Sequence, residues 1–320
     1  MTPRCLLCPQ APTEHLLAWE RGHDIHRCTA CGLIFATPLP SADELAAWYQ
    51  GFAYHRPTAD AVAAGVADRE AELARWFDVR PGARWLDFGG GNGLAAEAAR
   101  RLGFDVTFLE LDASAAEFAV QQLGLPAERV HTDPATLPDG GFDAIFSDNV
   151  VEHVPDPVGF VGDLYDRLAP GGRLVLKTPR AGAGEVLFYP SIWGKGYLRR
   201  ALRTNPPIQA LAAFRQRWWS CDPPRHLYGF SDDSLVRLAE RVGAPARVES
   251  YRVPLWAYSV SKRVFRRPRS GADAARKVIA APLLPGEWAL KAVQAAAVRA
   301  GRVTAGGAAL ILEKPLSPAS

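Results

Sequence analysis

Four cysteines near the N-terminus are the first residues whose spacing indicates chemistry. They form two C-x2-C pairs separated by nineteen residues, Cys5 with Cys8 and Cys28 with Cys31. This spacing is typical of two short turns that each present two thiolates to one tetrahedral zinc ion. Because all four positions are cysteines, no coordination position is left for water, and we expect a structural Zn²⁺. The fifth cysteine, Cys221, stands alone and is expected to pack as a small hydrophobic residue.

A glycine-dense loop in RWLDFGGGNGLA, residues 84–95, is the second chemical signal. Glycine lets a backbone turn tightly and approach a bound ligand. Gly91, Gly93 and Ala96 satisfy the dinucleotide pattern G-x-G-x-x-G/A, and Glu110 lies nineteen residues beyond Gly91, a distance suited to a ribose. The same loop suits an adenosyl sulfonium. The loop alone therefore leaves both ligands open.

Three further features favour the sulfonium. Asp87 lies two residues before the first glycine, where its carboxylate would repel a pyrophosphate but could hold a cationic amino-acid group. Asp133, in HTDPATLP, follows a short third strand and could accept a hydrogen bond from an adenine amino group. The stretches FDAIFSDNVVEHVPDP and LAPGGRLVLKTP have no counterpart in the dinucleotide fingerprint.

From Pro81 onward, short apolar strands alternate with amphipathic helices, and these elements must position the residues above. Helices are expected at about 94–102, 113–123 and 157–168, between strands at RWLDFG, DVTFLEL, FDAIFSDNV and GRLVLKTP. ARVESYRV and GAALILEKP indicate two later strands. This alternation predicts a doubly wound, mostly parallel α/β sheet with helices on both faces. Ligands of such sheets bind outside the carboxyl ends of the strands, which is where the residues above fall.

The four motifs LDFGGGNG, FLELD, FDAIFSDNVVEHVPDP and LAPGGRLVLKTP occur in this order within about residues 80–180. In them the chain resembles the class I S-adenosylmethionine-dependent methyltransferases, and more weakly so through PPRHLYGFSDDSLVRLAERVG. The resemblance implies a Rossmann-like, seven-stranded sheet and S-adenosyl-L-methionine as cofactor. A zinc-binding N-terminal segment joined to such a core is similar to methyltransferases that modify sugars and other small metabolites.

The resemblance also implies a role for each motif residue. Asp87 would anchor the amino-acid part of the cofactor, Glu110 the ribose, Asp133 the adenine amino group, and Asn149 would line the methionine side. Many relatives carry aspartate where this chain has Glu110, and Asp112 is a rival for the ribose. The glycines that would let the loop approach the cofactor are Gly89, Gly91 and Gly93.

Two histidines are the candidate catalytic residues. A sulfonium is already a reactive methyl donor, so the protein must mainly align an acceptor with the S–CH₃ bond. An oxygen or carbon acceptor also needs a base, and histidine suits that task near neutral pH. His153 lies in VVEHVPDP and shapes the pocket or acts as the base. His226 lies in CDPPRHLYGF, on a segment that could cover the pocket as a base or a substrate contact.

The segment between Val186 and Phe230 is rich in arginine and aromatic residues. It is either a solvated basic face with core aromatics or a lid that grips phosphate or carboxylate and stacks on a ring. The lid interpretation favours oxygen or carbon methylation of a small, anionic metabolite, such as a nucleotide-linked sugar or a natural-product intermediate. The alternatives are an RNA or protein methyltransferase that uses the zinc ribbon for recognition, and a non-catalytic, zinc-stabilised cofactor-binding protein. A second basic cluster spans residues 261–270.

The composition limits the expected classes of function, and the order of the motifs indicates how the chain is divided into units. A net charge of +3 over 320 residues is too small to imply nucleic acid by itself. No apolar run reaches a membrane span and no secretion signal is evident, so a soluble, cytoplasmic protein is expected. The predicted units are a zinc-ribbon-like module at 1–40, a helical linker at 41–80 and a methyltransferase domain at 81–320. Within the last, a lid insertion is expected at about 183–230 and a helical insertion at about 257–305.

Overall fold

The structure, a computed structural model, describes residues 3–50, 59–185, 196–252 and 284–316. The second basic cluster, the first part of the predicted lid and most of the predicted helical insertion lie outside the described residues. Two sheets make up the fold. The larger contains seven strands: β4 Arg84–Phe88, β5 Asp105–Leu109, β6 Val130–His131, β7 Phe142–Asp148, β8 Leu168–Pro179, β10 Ala246–Tyr251 and β11 Gly307–Glu313.

The seven-stranded sheet has the order β10-β11-β8-β7-β4-β5-β6. Strands β4 to β8 pair in parallel, and β11 runs antiparallel to both of its neighbours. The chain moves outward from β4 through β5 to β6 and then returns to place β7 on the other side of β4. This reversal of strand order is the place where ligands bind in such sheets. The predicted mostly parallel, doubly wound fold is confirmed.

Alternating side chains give the sheet an apolar face on each side. Along β8, Leu174 and Leu176 belong to one buried cluster, whereas Val175 between them belongs to the other. In β7, Ile145 faces the first cluster and Phe146 the second. This period of two is what a strand buried on both faces requires. Helices therefore cover both faces, as the sequence pattern predicts.

The three helices predicted between the strands of the large sheet begin and end close to the predicted positions. Those that accompany the large sheet are α2 Ala59–Trp76, α3 Leu94–Arg101, α4 Ala113–Leu123, α5 Pro157–Asp166, α8 Asp232–Val242 and α9 Leu284–Arg299. Helix α1 is Ala42–Gln50, and a capping box precedes it. The backbone N–H of Glu44 donates to Ser41 Oγ at 3.2 Å, and the N–H of Ser41 donates to Glu44 Oε2 at 3.0 Å. Two short helices, α6 Tyr197–Thr204 and α7 Pro207–Arg215, lie in the predicted lid.

The smaller sheet is antiparallel and joins the cysteine segment to the predicted lid. Its strands are β1 Thr13–Ala18, β2 Asp24–Cys28, β3 Ile34–Thr37 and β9 Tyr228–Gly229, in that order. Because β9 pairs with β3, the segment that carries His226 continues the sheet of the N-terminal segment. Cys28 and Cys31 also belong to the buried cluster that contains Leu174 of the large sheet.

The aromatic side chains of the predicted lid that the structure describes are core residues. Tyr197 and Trp218 are almost completely buried with Trp19 of the N-terminal segment, and Trp219 and Tyr228 are buried as well. They do not offer free faces on which a substrate ring could stack, so the stacking interpretation does not apply to these four residues. Cys221 is buried, and its Sγ–H donates to a backbone carbonyl, which confirms the expectation of a packed small residue.

None of the helices in the described ranges combines the length and the apolar character that crossing a bilayer requires.

Candidate functional site

The loop after β4 is held close to the sheet. Gly91 and Gly93 have φ angles of +55° and +73°, a region that favours glycine. At Gly90 the constraint is space, because a Cβ there would overlap the ring of Phe108 and the carboxylate of Asp87. The backbone of this loop therefore lies directly against its neighbours, as a ligand-binding turn between strand and helix requires.

Glu110 is bound to this loop. Its carboxylate accepts a hydrogen bond from the N–H of Gly91 at 2.8 Å and another from the N–H of Asp112 at 3.0 Å. The side chain is buried, with 6% of its surface exposed. Asp112 instead caps α4, accepting from the N–H groups of Ser114 and Ala115 at 2.8 and 3.0 Å. The geometry therefore favours Glu110 over Asp112 as the carboxylate that faces a ligand at the loop.

Asp87 is a buried carboxyl group whose Oδ2 atom has no hydrogen-bond partner among the described residues. Only 1% of the residue is exposed. Burial raises the pKa of Asp87 to about 7, and the negative charge of Asp148 acts in the same direction, while the charge of Arg69 opposes it. A cationic group placed against Oδ2 would both satisfy this atom and stabilise its ionised form.

A buried ion-pair cluster lies beside Asp87 and ties α2 to the carboxyl edge of the sheet. Lys177 on β8 is 4% exposed, and its Nζ lies 3.1 Å from Asp148 Oδ2 and 2.5 Å from Glu72 Oε1. Arg69 on α2 contacts Asp148 at 2.8 Å. Although burial opposes it, the charges of Arg69 and Lys177 hold the pKa of Asp148 below its usual value. These contacts place the polar groups of α2 at the strand ends that carry the glycine loop.

Asn149 and Asp133 lie at two further strand ends. Asn149 follows β7 with a φ of +59°, and its backbone N–H donates to the carbonyl of Lys177 at 2.9 Å. The next residue, Val150, lies against Gly89, so the turn after β7 contacts the glycine loop. Asp133 is exposed after β6, where it caps a short 3₁₀ turn. The ends of β5 and β6 are adjacent, because the N–H of Glu110 donates to the carbonyl of His131 at 3.0 Å.

The donor set fits S-adenosylmethionine. The unpartnered oxygen of Asp87 suits the ammonium of its methionine part, and a carboxylate at the position of Glu110 suits a ribose diol. The predicted cofactor residues Asp87, Gly91 and Glu110 are in mutual reach around one loop, whereas Asp133 and Asn149 flank it from neighbouring strand ends.

His153 and His226 lie together, although they are 73 positions apart in the chain. Their ring centroids are 4.7 Å apart in an edge-to-face arrangement. Nδ1 of His153 lies 2.7 Å from the carbonyl oxygen of Arg225, which can only accept, so Nδ1 carries the proton and Nε2 has a lone pair. Burial, aided by His226, lowers the pKa of His153 to about 3.

Asp222 organises the segment around His226. Its Oδ1 lies 3.2 Å from Nδ1 of His226, Arg225 contacts both of its carboxylate oxygens, and the hydroxyl of Tyr197 donates to Oδ2 at 2.9 Å. Burial opposes ionisation, but His226 and Arg225 hold the pKa of Asp222 well below its usual value. The carboxylate therefore lies against the His226 ring at Nδ1.

Three functional candidates were missed by sequence reasoning. Glu152 stands directly before His153 and is buried in the same cluster. Asp222 precedes His226 by four residues in CDPPRH, a spacing that could have indicated an acid–histidine pair. Tyr49 on α1 is close enough to both Glu152 and Glu110 for their charges to act on its hydroxyl. Partial burial raises its pKa, and the carboxylates of Glu152 and Glu110 add to that shift.

The cysteine segment brings its four predicted ligands together. The four sulfur atoms all lie within 4.8 Å of one another, and Sγ of Cys5 is 3.9 Å from Sγ of Cys31. Tetrahedral zinc with Zn–S bonds of about 2.3 Å places its sulfurs about 3.8 Å apart. The four cysteines therefore fit a zinc ion.

Comparison with known proteins identifies a matching family and several relatives of the chain. A family described as "Methyltransferase domain" matches residues 52–245. The ubiquinone biosynthesis O-methyltransferase of Paramagnetospirillum magneticum is 39% identical over 108 residues, which cover 32% of this chain and 42% of that protein. The protein of the same name from Ruegeria pomeroyi is 36% identical over 133 residues, covering 39% of this chain and 52% of its own length. The chain thus spans about half the length of these curated relatives.

Solved structures give a more distant likeness. Phosphoethanolamine N-methyltransferase 2 of Haemonchus contortus, in complex with S-adenosyl-L-methionine, is 18% identical, with a TM-score of 0.46. The match covers 78% of this chain and 52% of that one. At this level of similarity nothing about an acceptor follows.

Proposed function

Because the chain belongs to the class I S-adenosylmethionine-dependent methyltransferase family, we propose that it transfers the methyl group of S-adenosyl-L-methionine to a hydroxyl oxygen of a small molecule. The observation that carries this proposal is the buried, unpartnered carboxylate oxygen of Asp87 beside a glycine loop that Glu110 holds. The names of the two relatives above support an oxygen acceptor over a carbon acceptor.

The cofactor would lie across the carboxyl ends of β4 and β5. Asp87 would take its ammonium group and Glu110 its ribose hydroxyls, while Asp133 would accept from the adenine amino group. Asn149 would line the methionine side, where Val150 already lies against Gly89. The loop glycines Gly89, Gly91 and Gly93 would allow the backbone to approach the ligand.

The acceptor hydroxyl would lie against His153 and His226, the two groups nearest the turn after β7 that can contact it. In the reaction the acceptor oxygen attacks the methyl carbon, the O–CH₃ bond forms and the S–CH₃ bond breaks. The electron pair of the broken bond stays on sulfur, and the hydroxyl proton would pass to the imidazole of His153 or His226. The protein's contribution is mainly alignment of the two reactants and exclusion of water. The carbonyl of Arg225 holds the His153 ring, and Asp222 lies against Nδ1 of His226.

A small anionic acceptor remains our proposal for the substrate class, and the arginines of residues 196–230 support it in part. Arg200 pairs with Glu20 and Arg225 with Asp222, so these two already have carboxylate partners. Arg199, Arg203 and Arg215 are exposed and could meet an anion. The same surface could meet RNA, so RNA belongs among the acceptors tested.

We also propose that Cys5, Cys8, Cys28 and Cys31 hold a structural zinc ion. The ion would join the two turns of the N-terminal segment and would leave no coordination position for a substrate.

Calorimetric titration with S-adenosylhomocysteine, with NAD as the comparison, tests the cofactor assignment. We expect S-adenosylhomocysteine to bind and NAD not to bind. Loss of two charge-assisted hydrogen bonds in Glu110→Ala should weaken binding about 100-fold. Glu117→Ala is the matched control, because Glu117 is an exposed glutamate on α4. Binding of NAD, or equal affinities in the two variants, would overturn the assignment.

An acceptor screen then tests the reaction. Phenols, anionic alcohols and short RNAs are incubated with S-adenosylmethionine, and S-adenosylhomocysteine release is measured. Methylation of a small hydroxyl compound that is lost in His226→Ala supports the proposal. Turnover with RNA alone would assign the chain to nucleic-acid methylation, and cofactor binding without turnover of any acceptor would favour a binding protein.

A further inference from the structure

The two short helices of the predicted lid, α6 and α7, present large apolar side chains to solvent. Ile208 and Leu211 on α7 are 85% and 52% exposed, and Leu202 on α6 is 43% exposed. The two helices contact each other. A single exposed apolar side chain is ordinary, but several on neighbouring helices form a patch, and such patches characterise surfaces that meet a partner.

The fold does not use these three side chains, because the opposite sides of both helices pack on the small sheet. Ala201, Ala210 and Ala213 are buried in the same cluster as Leu17 of β1. Asn205, which lies between the helices, accepts a hydrogen bond from a backbone N–H of β1 through Oδ1 at 2.8 Å. The helices are therefore held by their inner sides, and their outer sides are available.

Basic side chains lie beside the apolar ones on these outer sides. Arg199 stands three positions before Leu202, and Arg215 stands four positions after Leu211. Residues three or four apart share one face of a helix, so each arginine lies next to an exposed leucine. Arg203 is exposed as well. The outer surface of α6 and α7 thus combines apolar and positively charged groups.

The positive charge of this surface exceeds the negative charge around it. Residues 196–221 contain five arginines and no acidic residue. Glu20 and Glu14 of the N-terminal segment contact this region, but Glu20 pairs with Arg200 and Glu14 with Arg27. A two-fold contact between copies of the chain would set this surface against itself, and like charges would repel. An anionic partner is therefore favoured over a second copy.

A bilayer with acidic headgroups is an anionic partner that also takes up apolar side chains. A helix that lies on such a bilayer buries its apolar side chains at the headgroup boundary and keeps its arginines beside the phosphates. We propose that α6 and α7 dock the protein on an anionic membrane surface through Leu202, Ile208 and Leu211. The contact is peripheral, because helices of eight and nine residues are too short to cross a bilayer.

Co-sedimentation of the full-length protein with lipid vesicles tests this proposal. We expect binding to mixed phosphatidylglycerol and phosphatidylcholine vesicles, and at least tenfold weaker binding to phosphatidylcholine alone. Because salt screens the attraction between charges, binding to the anionic vesicles should weaken as the salt concentration rises. The measurement needs neither cofactor nor acceptor, so its outcome is independent of the cofactor assignment.

Replacement of two apolar side chains tests whether they enter the bilayer. The double variant Ile208→Ser, Leu211→Ser should bind the anionic vesicles at least tenfold more weakly, because serine cannot replace the lost apolar contact. The matched control is Val236→Ser, which changes an exposed apolar residue on α8 and should bind like the unchanged protein. Both variants should keep the melting temperature of the unchanged protein, because the replaced side chains lie outside the core.

The same measurements contain the results that overturn the proposal. One is failure of the unchanged protein to bind either kind of vesicle. Another is equal binding of the anionic vesicles by the double variant and the unchanged protein, which would assign the binding to other parts of the chain. A dimer that dissociates in the double variant, with no vesicle binding, would assign the surface to a second copy. RNA binding without vesicle binding would assign it to nucleic acid.

Discussion

Phe35 on β3 lies opposite Tyr228 on β9, and this pairing joins the cysteine segment to the strand that follows His226. A second connection runs from Ser231, whose hydroxyl donates to the carbonyl of Cys31 at 2.6 Å. The N-terminal segment is therefore part of the wall that positions the candidate acceptor residues. The four cysteines and the two histidines are therefore connected through a short antiparallel sheet.

Loss of the proposed structural zinc should therefore affect both segments. Cys31→Ser is expected to lower the unfolding free energy by at least about 3 kcal/mol, a melting shift of roughly 6–12 °C, because metal binding contributes to folding. Amide exchange should accelerate at residues 226–229, while S-adenosylhomocysteine affinity changes little. Cys221→Ala, at a buried cysteine outside the cluster, is the control. Unchanged exchange at 226–229 in Cys31→Ser would contradict the connection.

Asp87 should make the cofactor-free protein less stable as the pH rises. Its folded pKa of about 7 exceeds the ordinary 3.8, so the folded state keeps a proton that the unfolded chain releases. The unfolding free energy therefore falls between these two pH values, by up to about 4 kcal/mol at about 1.4 kcal/mol per pKa unit. Asp87→Asn removes this loss and weakens cofactor binding. Urea unfolding should show a larger stability gain for Asp87→Asn at pH 8 than at pH 5. An equal gain at both pH values would show that the carboxyl titrates normally.

Gly90 is the loop position where a methyl group has no room. In Gly90→Ala the added Cβ would overlap Phe108 and Asp87, so the loop must move away from the sheet. We expect a loss of about 1–3 kcal/mol in unfolding free energy and at least tenfold weaker S-adenosylhomocysteine binding. Gly162→Ala is the matched control. Gly162 lies within α5, and nothing is within 4 Å of its added Cβ, so this variant should gain up to about 1 kcal/mol. Similar effects of the two variants would argue against close packing at Gly90.

Lys177 should contribute far more to stability than an exposed cation. Lys177→Met keeps the side-chain length but leaves Glu72 and Asp148 with Arg69 alone, so we expect a loss of about 3 kcal/mol. The comparison is Arg237→Met, which removes an ion pair with Glu240 whose side chains are 56% and 53% exposed. That change should leave the unfolding free energy nearly unchanged, because water and salt screen an exposed ion pair. Equal losses in denaturant unfolding would mean that the cluster is not effectively buried.

Local pattern was sufficient for much of the fold. The apolar runs of β4, β5, β7 and β8, the capping box of Ser41 and Glu44, and the loop glycines all depend on residues close in the chain. Their positions follow from side-chain periodicity, helix capping and backbone conformation, which are short-range properties. The predicted cofactor residues Asp87 and Glu110 also followed, because carboxyl ends of adjacent parallel strands must lie at one edge.

Other contacts join residues that are distant in the chain, and the sequence around each residue does not indicate its partner. The sequence of the arginine- and aromatic-rich segment is compatible with either a lid or a core segment. Tyr197 and Trp218 are buried because they pack in one cluster with Trp19. The sequence identifies Lys177 only as a polar residue near a strand end, whereas packing places it against Glu72 of α2 and Asp148 of β7.

The sequence by itself determined the doubly wound sheet, the cysteine cluster and the residues of the glycine loop. Only the tertiary structure decided that Glu152 and His153 meet His226 and that β9 completes the N-terminal sheet. The physical reason is the distance along the chain. Periodicity and capping act within a few residues, whereas these contacts form only when the packed core brings distant segments together.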